Sequence, residues 1–124
     1  MKKTAFYNER KTFVKYDDGH AVLYLNEQPA EQANEETGET VPGYIYTGDQ
    51  PDGGTLIEAK GVTDENRRDK FVAGVIGTTY DIDAQIAILA NGKDTPEHAA
   101  EFDQFSLLRA QCKAEVDELL ARTV

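Results

Sequence analysis

In Val62-Thr63-Asp64-Glu65-Asn66-Arg67-Arg68-Asp69-Lys70-Phe71-Val72-Ala73-Gly74-Val75-Ile76-Gly77 the spacing of apolar residues changes character. Before it, apolar residues come in short β-branched and aromatic runs separated by turn residues. Within it, Phe71, Val72, Val75 and Ile76 fall on one face at helical spacing. Thr63 offers a capping hydroxyl. Asp64 and Glu65 follow in a first turn, where the helix dipole favours negative charge. Gly77 is a stop. A first helix is expected from Thr63 to Gly77.

Working outward towards the C-terminus, Asp81 can cap a second helix in which Ile82, Ile86 and Leu89 repeat at intervals of four and three, closed by Asn91-Gly92. Thr95-Pro96 pairs a capping residue with proline at the first helical position. A third helix is expected from there to about Arg122. Phe102, Phe105, Cys112, Val116 and Leu119, flanked by Leu108 and Leu120, form a stripe wide enough to dock on the two earlier helices.

Towards the N-terminus, Thr12–Tyr16 and Ala21–Leu25 read as strands joined through the turn residues 17–20, a β-hairpin. Ala5-Phe6-Tyr7 adds a short strand. Tyr44–Thr47 and Thr55–Lys60, joined by a Gly/Asp/Pro loop over 48–54, read as a second hairpin. Between them, Asn26–Gly43 holds one apolar residue besides alanine, Val41. A segment of this composition lacks the surface to offset its ordering entropy and is expected to be a mobile loop over 26–43. The sum is one α+β domain over 1–124: antiparallel β-hairpins over 1–60, then a three-helix segment over 63–122 with one long final helix.

Length and composition set the class. The chain has 124 residues, 40% apolar and 29% charged, as for an ordinary globular domain. Cys112 is the single cysteine, so no internal disulfide forms, which fits a reducing compartment. Met1-Lys2-Lys3-Thr4-Ala5 opens like a secretory signal, but polar residues follow where an apolar stretch is required. The expected location is the cytoplasm, or a virion. The net charge of −10 opposes nonspecific binding to nucleic acid or to anionic membrane. It is uneven: residues 1–15 carry five basic residues against Glu9, whereas residues 26–58 carry eight acidic residues and no basic one. A solvated acidic loop is the simplest reading of that run.

No residue set makes an active site. Asp49 and Gly54 suit positions 1 and 6 of a calcium loop, but Lys60 falls where the bidentate glutamate belongs. Asp81 and Asp83 resemble a metal-binding pair, yet a third ligand is missing and helix capping explains both. His20 and His98 have no Cys or His at ligand spacing and read as surface residues. Cys112 falls on the apolar stripe and reads as a buried, inert thiol. Phosphate-binding loops are absent, and Arg67-Arg68 is a pair and not a patch. No catalytic, cofactor-binding or metal residue is expected. Tyr7, Tyr16, Tyr24, Tyr44, Tyr46 and Tyr80 are expected at half-buried strand positions first; the alternative use of the strand tyrosines is an exposed contact surface, through which a homodimer is the simplest assembly.

Val62–Val72 and Tyr80–Leu89, with Pro96-Glu97-His98 and Cys112-Lys113 at matching spacing, resemble small uncharacterised prophage-encoded proteins of gut bacteria over roughly residues 44–124. The resemblance implies a phage structural or assembly accessory protein that binds a protein partner, such as a tail component, or a second copy of itself. Two other classes remain open on the residues. One is a small enzyme with a site assembled from distant groups such as Asp81, Asp83 and His98. The other is an acidic mimic of nucleic acid.

Overall fold

The computed structural model describes residues 1–123. The chain is α+β, with six antiparallel strands in two three-stranded sheets followed by three helices. The strands are β1 (Lys3–Tyr7), β2 (Phe13–Asp17), β3 (His20–Leu23), β4 (Gln28–Ala33), β5 (Thr40–Gly48) and β6 (Thr55–Glu58). The helices are α1 (Arg67–Gly77), α2 (Ile82–Asn91) and α3 (Pro96–Ala121). One sheet has the order β1-β5-β4 and the other β2-β3-β6.

The β2-β3-β6 sheet is the middle of three layers. Ala21, Leu23 and Leu25 alternate along the chain with Val22 and Tyr24, and all five are buried. The first set joins Ile57, Phe71, Val72, Ile76, Phe105, Val116 and Leu119 in the core shared with the helices. The second set joins Tyr46 in a smaller core against the other sheet. A strand covered on both faces reads as a continuous apolar run, which is why Ala21–Leu25 shows no polar alternation. α1 lies close on β6 at Gly74, where a Cβ would sit 2.7 Å from the Glu58 carbonyl oxygen and 2.8 Å from Ile57 Cδ1.

Four expectations are corrected. Tyr44–Thr47 and Thr55–Lys60 do not form a hairpin: β5 pairs with β1 and β4, while β6 pairs with β3. Ile57 must face the helices and Tyr46 the space between the sheets, so the loop over 48–54 carries the chain from one sheet to the other. The first hairpin is present, but its turn is Asp18-Gly19 alone, with Asp17 paired to His20. Asn26–Gly43 is not a structureless loop. It contains β4 and the start of β5, paired from Gln28↔Ile45 to Ala33↔Thr40. Here the ladder hydrogen bonds, and not apolar burial, define the structure. Asn34 Oδ1 accepts from Glu36 N at 2.9 Å, and Gly38 at φ +73° completes the turn. Finally, α1 starts at Arg67 and not beside Thr63. Thr63 Oγ1 accepts from Asn66 N while Asn66 Oδ1 accepts from Thr63 N, and this reciprocal pair shapes the turn that leads into the helix.

The remaining helix signals act as read. Asp81 Oδ1 accepts from Ala84 N at 2.7 Å, Thr95 Oγ1 from His98 N at 3.1 Å, and Gly92 closes α2 at φ +58°. Phe105, Cys112, Val116 and Leu119 are the buried stripe of α3.

Candidate interaction surface

α2 does not bury the stripe that its sequence displays. Ile88 is its one buried side chain, with Ala84 and Gln85 half-buried beside it. Ile82, Ile86 and Leu89 are 66%, 59% and 56% exposed. Their spacing of four and three puts them in one row along the helix. The short α2 docks through the opposite side, because Ile88 follows Ala84 at four residues and fills the core beside α3. Asp83 is the only ionisable residue between Ile82 and Asn91. Just beyond, Lys93 Nζ lies 3.0 Å from Asp103 Oδ1 on α3. A contiguous exposed apolar row on an otherwise highly charged chain is the type of feature that marks a protein contact. The other exposed large apolar residues, among them Val14, Tyr16, Val41 and Leu107, are spread over β2, β5 and α3.

Apart from Tyr16, the strand tyrosines are buried or half-buried, as first read, and do not make the alternative exposed contact surface. Tyr46 is fully buried and Tyr24 is 8% exposed. Their rings meet at 5.7 Å with Tyr7 against both. Burial, with the Asp52 carboxylate bonded to its hydroxyl, pushes Tyr24 up to about 12; burial with Glu27 does the same for Tyr46, also to about 12. Only Tyr16, on β2, is widely exposed, and Tyr80 packs edge-on against Phe105 at 5.1 Å.

Around Tyr46 lies a charged cluster that no local sequence pattern announces. Arg10 holds Glu27 through Nη2–Oε1 at 2.8 Å and Nε–Oε2 at 3.1 Å, and the Tyr46 hydroxyl donates to Glu27 Oε2 at 2.8 Å. Arg122, with a fully buried side chain, donates to the carbonyls of Lys11 and Tyr24 at 3.0 and 2.6 Å and to Glu118 at 2.6 Å. Its guanidinium stacks over Tyr46 at 5.4 Å. Burial opposes the charge on Glu27, but the bonds from Arg10 and Tyr46 outweigh it and hold the carboxyl below its ordinary range. These groups satisfy one another, and the cluster ties the end of α3 to both sheets.

The residues considered for chemistry are spent on local structure. Asp49 Oδ1 accepts from Leu56 N, and Asp52 accepts from Gly54 N and the Tyr24 hydroxyl. Asp81 caps α2, Asp83 is exposed in its first turn, and His98 bonds Asp94. His20 bonds Asp17 at 2.8 Å. Cys112 is 5% exposed, and burial, with Glu115 nearby, pushes its thiol up. Among the described residues no three His, Cys, Asp or Glu side chains converge to hold a metal ion. A cleft of about 380 Å³ between β2 and α1 has Phe13 and Phe71 in its wall and Lys15, His20 and Arg67 at its rim. Lys15 pairs with Asp18, His20 bonds Asp17, and Arg67 pairs with Asp64, so each basic group at the cleft already has a carboxylate partner.

The β4–β5 hairpin projects beyond β1, which ends opposite Tyr44, and its residues 31–42 are exposed. Asn34 N donates to Glu39 O at 2.7 Å, which makes Asn34–Glu39 a hydrogen-bonded pair. Alternation then makes Pro29↔Tyr44 and Glu31↔Pro42 non-hydrogen-bonded pairs. Each proline therefore sits where its missing N–H would point outward, one on each edge of the arm. Edge prolines block the addition of a further strand. The arm is closed to β-sheet extension.

Comparison with protein-family models, with characterised proteins and with solved structures gives no match. Among the described residues no single helix is long and apolar enough to cross a membrane.

Proposed function

We infer that this is a non-enzymatic interaction protein that works by association with a protein partner or with itself, in the manner of a phage structural or assembly accessory protein. The observation that carries the association is the exposed Ile82–Ile86–Leu89 row. Large aliphatic side chains in water are unfavourable by about 25 cal/mol per Å², so a row of three is matched to burial against another surface. Its spacing of i, i+4 and i+7 is the anchor pattern by which helices enter apolar grooves. The assembly setting rests on the resemblance of residues 44–124 to prophage-encoded proteins.

The test is co-purification with co-expressed phage structural proteins, together with light scattering of the protein alone, for wild type and for Ile86→Glu. Association of either kind in the wild type and its loss in the variant is the expected result. Equal association in the variant, or no association of any kind in the wild type, overturns the reading.

A further inference from the structure

We propose that the outer edge of β2 takes an extended, neutral or basic peptide segment as an added strand, with one aliphatic side chain of that segment seated in the cleft between β2 and α1. This contact is separate from the α2 row and goes beyond the association read from it. The first observation is the direction of the main-chain groups. Tyr24 N donates to Thr12 O at 2.9 Å, and the pairing runs on in register through Phe13↔Leu23, Val14↔Val22 and Lys15↔Ala21. Thr12 and Val14 therefore bond inward to β3, and Phe13 and Lys15 turn their N–H and C=O groups outward. Leu56 agrees with this phase: its N–H goes to Asp49 Oδ1, which leaves the groups of Val22 to Val14. β2 is an edge of its sheet, and among the described residues no main-chain group of another element bonds to the outward groups of Phe13 and Lys15. Both edges of the β4–β5 arm carry a proline, whereas β2 carries none.

The second observation is the cleft beside that edge. Phe13 and Lys15 line it from β2, and Arg67 and Phe71 from α1. An added strand places the side chains opposite Phe13 and Lys15 on the same face, towards the cleft. The Phe13 and Phe71 rings meet there at 5.0 Å, and the volume of about 380 Å³ has room for an aliphatic side chain. Arg67 Nε is buried without an acceptor, although Nη2 of the same guanidinium donates to Asp64 at 2.7 Å. A buried donor without a partner is uncommon, and a carbonyl of the added strand supplies one. On β2 itself Val14 and Tyr16 are 51% and 63% exposed and offer apolar contact to the intervening side chains.

The third is charge. Asp17, Asp18 and Asp64 stand around the cleft against Lys15 and Arg67, on a chain of net charge −10. This field favours a neutral or basic segment and opposes an acidic one, a second copy of this chain included. Strand addition of this kind draws affinity from main-chain bonds and selectivity from the pockets that take alternate side chains.

The probe is a displayed library of random linear heptapeptides, selected on the full chain. Enrichment of sequences with a central aliphatic residue and no acidic excess is expected, and a synthetic copy of the enriched peptide should shift the amide resonances of Phe13, Lys15 and Phe71. Methylating alternate amide nitrogens of that peptide removes its ladder bonds and should weaken binding about tenfold or more. Lys15→Pro removes an outward N–H and no bond to β3, and should do the same; Lys15→Gln keeps the N–H and should bind nearly as the wild type does. Circular dichroism checks that each variant is folded, and if Lys15→Pro is not, the methylated peptide decides. No enrichment, an acidic consensus, equal binding of the methylated peptide, or shifts confined to α2 overturns the proposal. Ile86→Glu should leave peptide binding unchanged, so failure here is distinct from failure of the α2 row.

Discussion

The buried guanidinium of Arg122 and the carboxylate of Glu27 meet at 3.4 Å, joining the last turn of the chain to the residue that leads into β4. Arg122 also donates to two backbone carbonyls from the first third of the chain, those of Lys11 and Tyr24. One side chain thus fixes α3 against both sheets. Arg122→Ala removes those bonds and leaves Glu27 to Arg10 and the Tyr46 hydroxyl. Breaking a buried pair from one side costs about 3–5 kcal/mol, and Arg10 moderates this towards the lower figure. Urea unfolding should show that loss. Arg122→Lys should recover only part of it, since an ammonium cannot span the same fork of acceptors.

Acid should weaken the same junction. The Glu27 carboxyl is held below its ordinary value near 4.5 in the folded protein. A depressed folded value contributes stability that is complete above the unfolded value and is lost as pH falls through the folded one. The melting temperature should therefore fall steadily below about pH 4.5, and Glu27→Gln should flatten that part of the curve while lowering stability at neutral pH. Asp117, bonded by Arg68, and Asp17, bonded by His20, shift in the same direction, but both are exposed and solvent screens them.

On α3 the two faces should respond differently. Phe105 is 2% exposed and packs against Tyr80. Phe105→Ala should cost about 3–5 kcal/mol, a large share of a small domain's stability. Lys113 is exposed, and Lys113→Ala should change stability by less than about 0.5 kcal/mol. Equal losses in thermal unfolding would show that the faces are misassigned.

Amide exchange along the projecting hairpin should alternate. Ala30 and Gln32 belong to the hydrogen-bonded pairs of β4, whereas Glu31 and Ala33 direct their N–H groups outward. Ala30 and Gln32 should exchange more slowly than Glu31 and Ala33. All four should exchange faster than Val22 and Leu23, because an exposed arm opens without global unfolding. Uniformly fast exchange would mean that the ladder is not held in solution.

The sequence alone determined the local elements whose signals are local. Helix α2 is set by the Asp81 cap and Gly92, α3 by Thr95-Pro96, and the buried stripe of α3 by the spacing of Phe105, Cys112, Val116 and Leu119. The α+β class followed from the change of period near Val62. Only the tertiary structure decided which strands pair, because β5 has edges that suit several partners and the choice depends on where Ile57 and Tyr46 must be buried. The arm over 28–43 was hidden for a related reason. Its order comes from backbone hydrogen bonds between Gln28–Ala33 and Thr40–Ile45, which leave no apolar signature. The outward row of α2 was legible as a stripe, but periodicity fixes only that one face is apolar. Which face meets the core depends on the volume available beside α3, and there Ile88 fits and Ile82, Ile86 and Leu89 remain outside.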